Sequence, residues 1–476
     1  MSPTFRSLRN PNYRLYASGG LVSNTGTWMQ RIAQDWLVLA IAADAALALG
    51  VTTALQFLPI LLLSPYAGVV ADRFPKRRVL QVTQVMMAVP SAALGVLAVT
   101  GSVEVWQVYL LAFVFGIGTA FDAPARQSFV SEIVDEGDLT NAVGLNSASF
   151  NAARLVGPAL AGVLIALLGG GVEGTGWVIL VNALSYLPVV AVLQSMDTRA
   201  LHSPPRTPRG LGALREGLRY VRGRPDLMLI LAVVFFAGTF GLNFSVTSAL
   251  MVTEVYERDS AAFGLVGSAV AVGSLTGALL AAGRAVVRLR LVVGAGLVFG
   301  VAVVAAGLLP TYWTFVVFAP VLGITALTMI TAANTRMQIA TEPALRGRVM
   351  ALYMTIFMGG TPIGAPLIGW VGSHLGARWT LIVGGVVTVL GIMVSLALLG
   401  HLRDLPRRVL TASGAAGSLA NRVWDHQTVE RAGKQYDTPD LGGSVSRGSD
   451  TAGRSRPRVA TTAALQHRRA RQSVEH

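Results

Sequence analysis

One pattern runs through most of this chain: an apolar stretch of about 20 residues, a short polar or basic connection, then another apolar stretch. The first set of stretches falls at roughly Leu15–Ala42, Leu49–Ala71, Val79–Thr100, Trp106–Ala123, Asn141–Leu168 and Trp177–Leu193. A second set follows at about Leu227–Thr253, Phe263–Ala282, Leu291–Leu309, Tyr312–Ala333, Val349–Val371 and Trp379–Leu399. A soluble fold of 476 residues needs a charged surface, yet charged residues are only 13% of this chain, against roughly 25% in soluble domains. Lipid is the solvent that suits it. The pattern predicts an all-α polytopic membrane protein with about twelve transmembrane helices.

The net charge of +14 does not indicate nucleic acid, because of where the charge falls. Alternate connections carry Arg73, Lys76, Arg77 and Arg78, then a run of arginines from Arg199 to Arg224, then Arg284, Arg288 and Arg290. The intervening connections carry only Arg258 and Arg378. Positive residues resist translocation, so a multi-pass protein of the cell membrane is expected, with both termini cytoplasmic. The connection from Asp122 to Asp138 departs from the pattern, setting Asp122, Glu132, Asp135, Glu136 and Asp138 against Arg126. Acids weigh little in topology, so the orientation stands. Met1 to Arg14 is polar and leads straight into the first stretch without a cleavage site, so the first helix is expected to stay.

Several chemistries are excluded. There is no cysteine, and the six histidines lack ligand spacing, so neither a metal nor a cofactor is expected. Gly433-Lys434-Gln435 lacks the hydroxyl and upstream glycine of a phosphate-cradling loop, which removes an ATP-driven pump. The spans do not bring together the carboxylates, histidines or activated nucleophile that an enzyme needs.

The chain also repeats itself. Asn10-Pro11-Asn12 opens the first span and Arg224-Pro225-Asp226 the seventh. Arg126 and Glu132 follow the fourth span, as Arg336 and Glu342 follow the tenth at the same offset. Gly157-Pro158-Ala159-Leu160-Ala161-Gly162 recurs loosely as Ala365-Pro366-Leu367-Ile368-Gly369. Two parallel six-helix halves, residues 1–195 and 225–400, suit a transporter that rocks around a central site, with 196–224 as a cytoplasmic linker. Residues 401–476 are rich in arginine and small polar residues and read as a disordered basic cytoplasmic tail.

After the second span comes Gly68-Val69-Val70-Ala71-Asp72-Arg73-Phe74-Pro75-Lys76-Arg77-Arg78. It resembles the Gly-x-x-x-Asp-Arg-x-Gly-Arg-Arg signature of the major facilitator superfamily, with Pro75 at the second glycine. Gly116 to Gln127 and Gly26-Thr27-Trp28-Met29-Gln30 are similar to the enterobactin-exporter-like (transmembrane secretion effector) branch of that superfamily. The resemblance covers about residues 5 to 400. It implies the major facilitator fold and efflux of a lipophilic compound such as a drug, macrolide or siderophore, with uptake by a symporter of the same fold as the alternative. It implies a conformational latch at Gly68, Asp72, Arg73, Arg77 and Arg78, where the plainer reading is a topology signal. Gly157-Pro158 looks like the antiporter motif of drug exporters, a hinge or else a packing contact. The span-four arginine common in proton antiporters is absent, and Ala112 stands in its place.

A charge at membrane depth costs about 2.5–3.5 kcal/mol on insertion scales, so each one requires a partner or water. Asp35 is the acid well inside a predicted span; Arg31 lies one turn before it, and Arg154 lies in the middle of span five. Arg31 and Asp35 share one helix face. Arg154 either reaches Asp35 or awaits an anionic substrate. A carboxylate that loses its neighbouring cation takes up a proton more readily, so Asp35, Arg31 and Arg154 are the candidates for proton coupling. The alternative is a permanent Arg31–Asp35 pair that makes the first span tolerable in lipid. Polar residues at similar depth, namely Asn24, Gln30, Gln34, Gln56, Asn146, Asn151, Asn243 and Asn334, are the candidates for a substrate cavity. The expected partners are a small molecule, protons and the bilayer, with the protein acting as a monomer.

Overall fold

The computed structural model describes residues 3–202, 213–282, 287–342 and 345–399; the tail expected at 401–476 and the middle of the linker lie outside them. Helices follow one another without a strand among the described residues. The first half comprises α1 (Pro11–Ile41), α2 (Ala45–Arg73), α3 (Lys76–Val99), α4 (Val105–Ile133), α5 (Glu136–Leu167) and α6 (Gly171–Ser195). A short linker helix, α7 (Ala213–Arg222), precedes the second half: α8 (Pro225–Phe236), α9 (Phe244–Leu250), α10 (Ser260–Ala282), α11 (Leu289–Gly307), α12 (Tyr312–Ala340), α13 (Arg346–Leu375) and α14 (Ala377–Leu399).

The caps explain where these helices begin. The Asn10 side chain accepts from the Tyr13 amide at 3.1 Å, and Pro11 occupies the first helical position, where no amide is needed. Asp44 does the same for α2 through the Leu47 amide at 3.0 Å. Gly170 (φ 68°) and Gly376 (φ 92°) turn the chain between α5 and α6 and between α13 and α14, in conformations that a side chain would oppose.

Eleven helical segments are long and apolar enough to cross a membrane, counting Pro225–Val255 as one. The twelfth is α1, whose 31 residues suffice in length but whose Gln30, Arg31, Gln34 and Asp35 lower its hydropathy. It packs instead between α5 and α6, and its buried polar residues meet protein, Gln30 meeting Asn182 of α6 and Asp35 meeting Ser245 of α9. The helices also outrun the predicted spans: α4 continues to Ile133 and α12 to Ala340. Asp122 and Arg126, read above as part of a connection, therefore lie on α4.

The seventh span is broken rather than continuous. A wide turn, with the Leu242 amide donating to the Ala237 carbonyl at 2.9 Å, ends α8, and α9 restarts at Phe244. A second wide turn follows, with the Tyr256 amide donating to the Met251 carbonyl at 3.1 Å.

Within the first half α2 packs on α4, and α3 on α4 and α6; within the second α10 and α11 pack on α12. The halves meet where α2 lies against α13 and α5 against α10. Small residues let the backbones touch there. A Cβ at Gly50 would overlap the Ala365 carbonyl, one at Gly369 the Ala46 carbonyl, one at Gly162 the Ser260 carbonyl, and one at Gly264 the Pro158 carbonyl. All four lie toward the end of the bundle that carries the α1–α2 connection. We call it the far end, and the opposite one, with the arginine-rich connections, the basic end. The close approaches described between the halves reach inward only as deep as Leu61–Gly359 and Leu155–Ser268. The bundle is thus clamped shut at its far end.

Candidate functional site: a charged, aromatic face on the first helix

Asp35 is 5% exposed and accepts a 2.6 Å hydrogen bond from the Ser245 hydroxyl of α9. The acid of the first half is therefore tied to the second half. Ser245 was not anticipated; the only sequence signal was the polar interruption Asn243-Phe244-Ser245 in an apolar span. The break in that span delivers the hydroxyl. By the 1.5 Å rise of a helix, Asp35 sits about 9 Å below the far end of α1.

Arg31 and Trp28 are one and two turns before Asp35 on the same face, so that face looks toward the other half. Among the described residues no ion pair joins Arg31 to Asp35. The Arg31 guanidinium lies instead 4.8 Å from the Trp28 ring and 5.3 Å from the Phe57 ring of α2, and its Nε is buried without a hydrogen-bond partner. Arg154, on α5, does not reach Asp35 either; its guanidinium lies 5.5 Å from the same Trp28 ring. Phe150, one turn before Arg154, meets Trp28 edge to face at 5.8 Å. Two cations thus share one indole, backed by two phenyl rings. Trp28, Arg31, Phe57 and Arg154 are all partly exposed.

Gly157 and Pro158 divide their work between two neighbours. A Cβ at Gly157 would stand 2.6 Å from the Trp28 Cβ, so this glycine seats α5 on α1. Pro158 faces α10, where Gly264 and Gly267 make room for it. One dipeptide therefore touches the aromatic site on one side and the far-end clamp on the other.

The remaining polar candidates scatter. Gln30 is 3% exposed and accepts from Asn182 of α6, so it belongs to packing within the first half. Gln34 and Gln56 are also buried, at 2% and 9% exposure. Asn151 donates to the Ser147 carbonyl of its own helix at 2.8 Å, and Asn334 accepts from Gln338 one turn later at 2.5 Å. Asn243 donates to the Thr239 carbonyl at 2.8 Å inside the α8–α9 break, and its Oδ1 is buried without a partner. Asn24 and Asn146 are half-buried, with no hydrogen bond described for their side chains.

At the basic end, Asp72, Arg77 and Arg78 line a cavity of about 550 Å³ with Lys76, Glu132 and Thr198 among its walls. Lys76, overlooked in the motif, forms a partly buried ion pair with Glu132 at the end of α4. Arg77 donates to the Gln194 carbonyl at 3.4 Å. Both partners lie in the first half. Gly68 is half-buried and Arg73 exposed. The matching connection in the second half falls partly outside the described residues.

Asp122 is a second buried acid. Its carboxylate accepts from Thr83 at 2.9 Å, Gln84 at 2.8 Å and Arg126 at 2.9 Å, a fully satisfied network at the basic end.

Comparison with known proteins places this architecture. The model of the transmembrane secretion effector family matches residues 2–427, and the chain belongs to that family of major facilitator transporters. It is a multi-pass membrane transporter. The multidrug efflux pump Tap of Mycolicibacterium fortuitum is 29% identical over 76% of this chain and 89% of its own length. Macrolide efflux protein A of Streptococcus pyogenes is 23% identical over 73% and 87%. The staphyloferrin A transporter of Staphylococcus aureus is 25% identical over 56% and 66%. Among solved structures, a D-xylose–proton symporter matches with a TM-score of 0.61 at 15% identity, covering 80% of this chain and 96% of its own, which supports the fold alone.

Proposed function

We propose that this protein exports a lipophilic small molecule from the cell, a drug-, macrolide- or siderophore-like compound, in exchange for protons. The observation that carries the reading is Asp35: a buried acid of the first half bound to Ser245 of the second, directly beneath the far-end clamp. Opening the far end parts α1 from α9, so the carboxylate must exchange the serine for water or a proton. Closing it restores the serine and drives the proton toward the other side. The names of the relatives, all exporters or a siderophore transporter, favour efflux over uptake.

In this reading the basic end faces the cytoplasm of a plasma-membrane protein with both termini inside, an orientation that the arginine distribution supports. Residues 1–195 and 225–400 rock as two bodies joined by 196–224, and the protein works as a monomer. The Gly68–Arg78 motif, disengaged from the second half at Lys76 and Arg77, is the latch that closes the basic end when the far end opens. Gly157-Pro158 is the joint that couples clamp and site.

The test uses inverted membrane vesicles with an imposed pH gradient and a fluorescent lipophilic dye. Wild type should accumulate dye when the vesicle interior is acidic. Asp35→Asn should abolish the gradient-driven part while retaining exchange of labelled for unlabelled dye. Gradient-driven accumulation by Asp35→Asn at the wild-type rate would remove the carboxylate from the mechanism; accumulation only with the gradient reversed would make the protein a symporter.

A further inference from the structure

The substrate face of α1 holds more positive charge than its own residues neutralise. Arg31 and Arg154 stand 4.8 and 5.5 Å from the Trp28 ring, and neither forms an ion pair or a hydrogen bond among the described residues. Asp35, the acid on this face, is occupied by Ser245 and is not within ion-pair distance of either arginine. Asp122 is held by Arg126, Thr83 and Gln84 at the basic end. Two guanidiniums in one partly exposed place, at membrane depth, with rings beside them and the single acid Asp35 a turn away, leave one positive charge without a counter-ion. Like charges would repel one another there unless something negative came between them.

We infer that the transported molecule carries an anionic group of carboxylate type on an aromatic or apolar frame, and that Arg31 and Arg154 bind that group beside Trp28. A guanidinium presents paired N–H donors that match a carboxylate, and two of them converging enclose it from both helices. Trp28, Phe57 and Phe150 offer the faces and edges on which the frame packs. The inference rests on the α1 face being the substrate site of the exporter proposed above, but not on the direction of transport or on proton coupling. Arg31 also stands one turn from Asp35, so an anion seated there takes up the positive field that the carboxylate otherwise feels.

The experiment measures binding to purified protein in phosphatidylcholine nanodiscs by isothermal calorimetry, with no gradient present. Three probes share one skeleton: 2-naphthoate, 2-naphthamide and 2-naphthylmethylammonium. Wild type should bind the carboxylate at least tenfold more tightly than the amide, and the ammonium least. Arg154→Gln should bring carboxylate and amide to within about twofold, while Arg154→Lys, which keeps the charge, should retain most of the preference. The wild-type comparison alone decides the matter if a variant does not fold. Equal binding of the three probes, preference for the ammonium, or no binding of any probe overturns the inference. A fourth arm uses phosphatidylglycerol nanodiscs: loss of the carboxylate preference there would mean that lipid phosphate fills the site, and would likewise overturn it. Failure of dye export with carboxylate preference intact would instead count against the transport reading alone.

Discussion

The far-end clamp makes a quantitative prediction at Gly264. This residue of α10 lies against the Pro158 carbonyl of α5, and an added methyl would meet backbone, which cannot swing aside as a side chain could. The strain exists only while the far end is closed. Overpacking of this kind costs about 1–3 kcal/mol. At 1.4 kcal/mol per factor of ten, Gly264→Ala should favour the far-end-open state by roughly fivefold to a hundredfold. The natural chain has no cysteine, so a single one can be introduced as a reporter without prior engineering. Ser268 suits this use, since its hydroxyl donates to the Leu155 carbonyl across the interface at 2.8 Å and is shielded by the clamp. Intact cells carrying Ser268→Cys would be treated with a membrane-impermeant thiol reagent. Labelling from outside should speed up at least fivefold when Gly264→Ala is added. Gly137→Ala, where a Cβ meets open space, should leave the rate alone. Equal labelling of Ser268→Cys with and without Gly264→Ala, in protein that remains monodisperse, would refute the idea that these glycines hold the far end shut.

Three further outcomes are expected. Ser245→Ala removes a hydrogen bond to a carboxylate, worth about 1.5–3 kcal/mol, so the same reporter should label roughly tenfold or more faster, with Ser245→Thr near the parent rate. Lys76→Met strands Glu132 partly buried and should lower the thermal midpoint of the detergent-purified protein; the loss of about 3–5 kcal/mol should be largely recovered when Glu132→Met is added. Asp122→Asn deprives Arg126 of its counter-ion and should cost similar stability, whereas export by the surviving folded fraction, normalised to its amount, should stay within about twofold, because this acid is not the proposed proton carrier.

Much of this was written plainly in the sequence, because in lipid the apolar period is the fold. The succession of apolar spans follows from the cost of polar groups in hydrocarbon, and the same cost singles out Asp35, Arg31 and Arg154 as groups that need a partner. What escaped was partnership. Arg31 and Asp35, four residues apart, look like a pair on paper, but their side chains turn to a ring and to a serine 210 residues away. Gln30 looks as ready for a ligand as any polar residue in a span, yet Asn182 already satisfies it. Asp122 stands at the edge of an apolar stretch and looks like part of a connection, since the stretch ends before the helix does. Arg126 and Arg336 look equivalent by repeat, yet Ala332 stands where the first half has Asp122, and the Nε of Arg336 is buried without a partner. Helix ends and long-range contacts depend on neighbours that the local pattern does not name.

The polar character of α1 has a consequence for how the protein is made. α1, which is made before the helices it packs between, does not meet the hydropathy of the eleven other spans among the described residues. Its Arg31 and Asp35 each oppose insertion, and the helices that shelter it, α5 and α6, are synthesised roughly a hundred residues later. Early in biogenesis α1 therefore waits at the translocon or the lipid boundary for later helices to take it in. Chains cut short before α6 should leave it accessible to proteases or glycosylation on the wrong side, while the full chain would hide it. In this transporter the segment proposed to carry the coupling acid settles only after helices made well behind it.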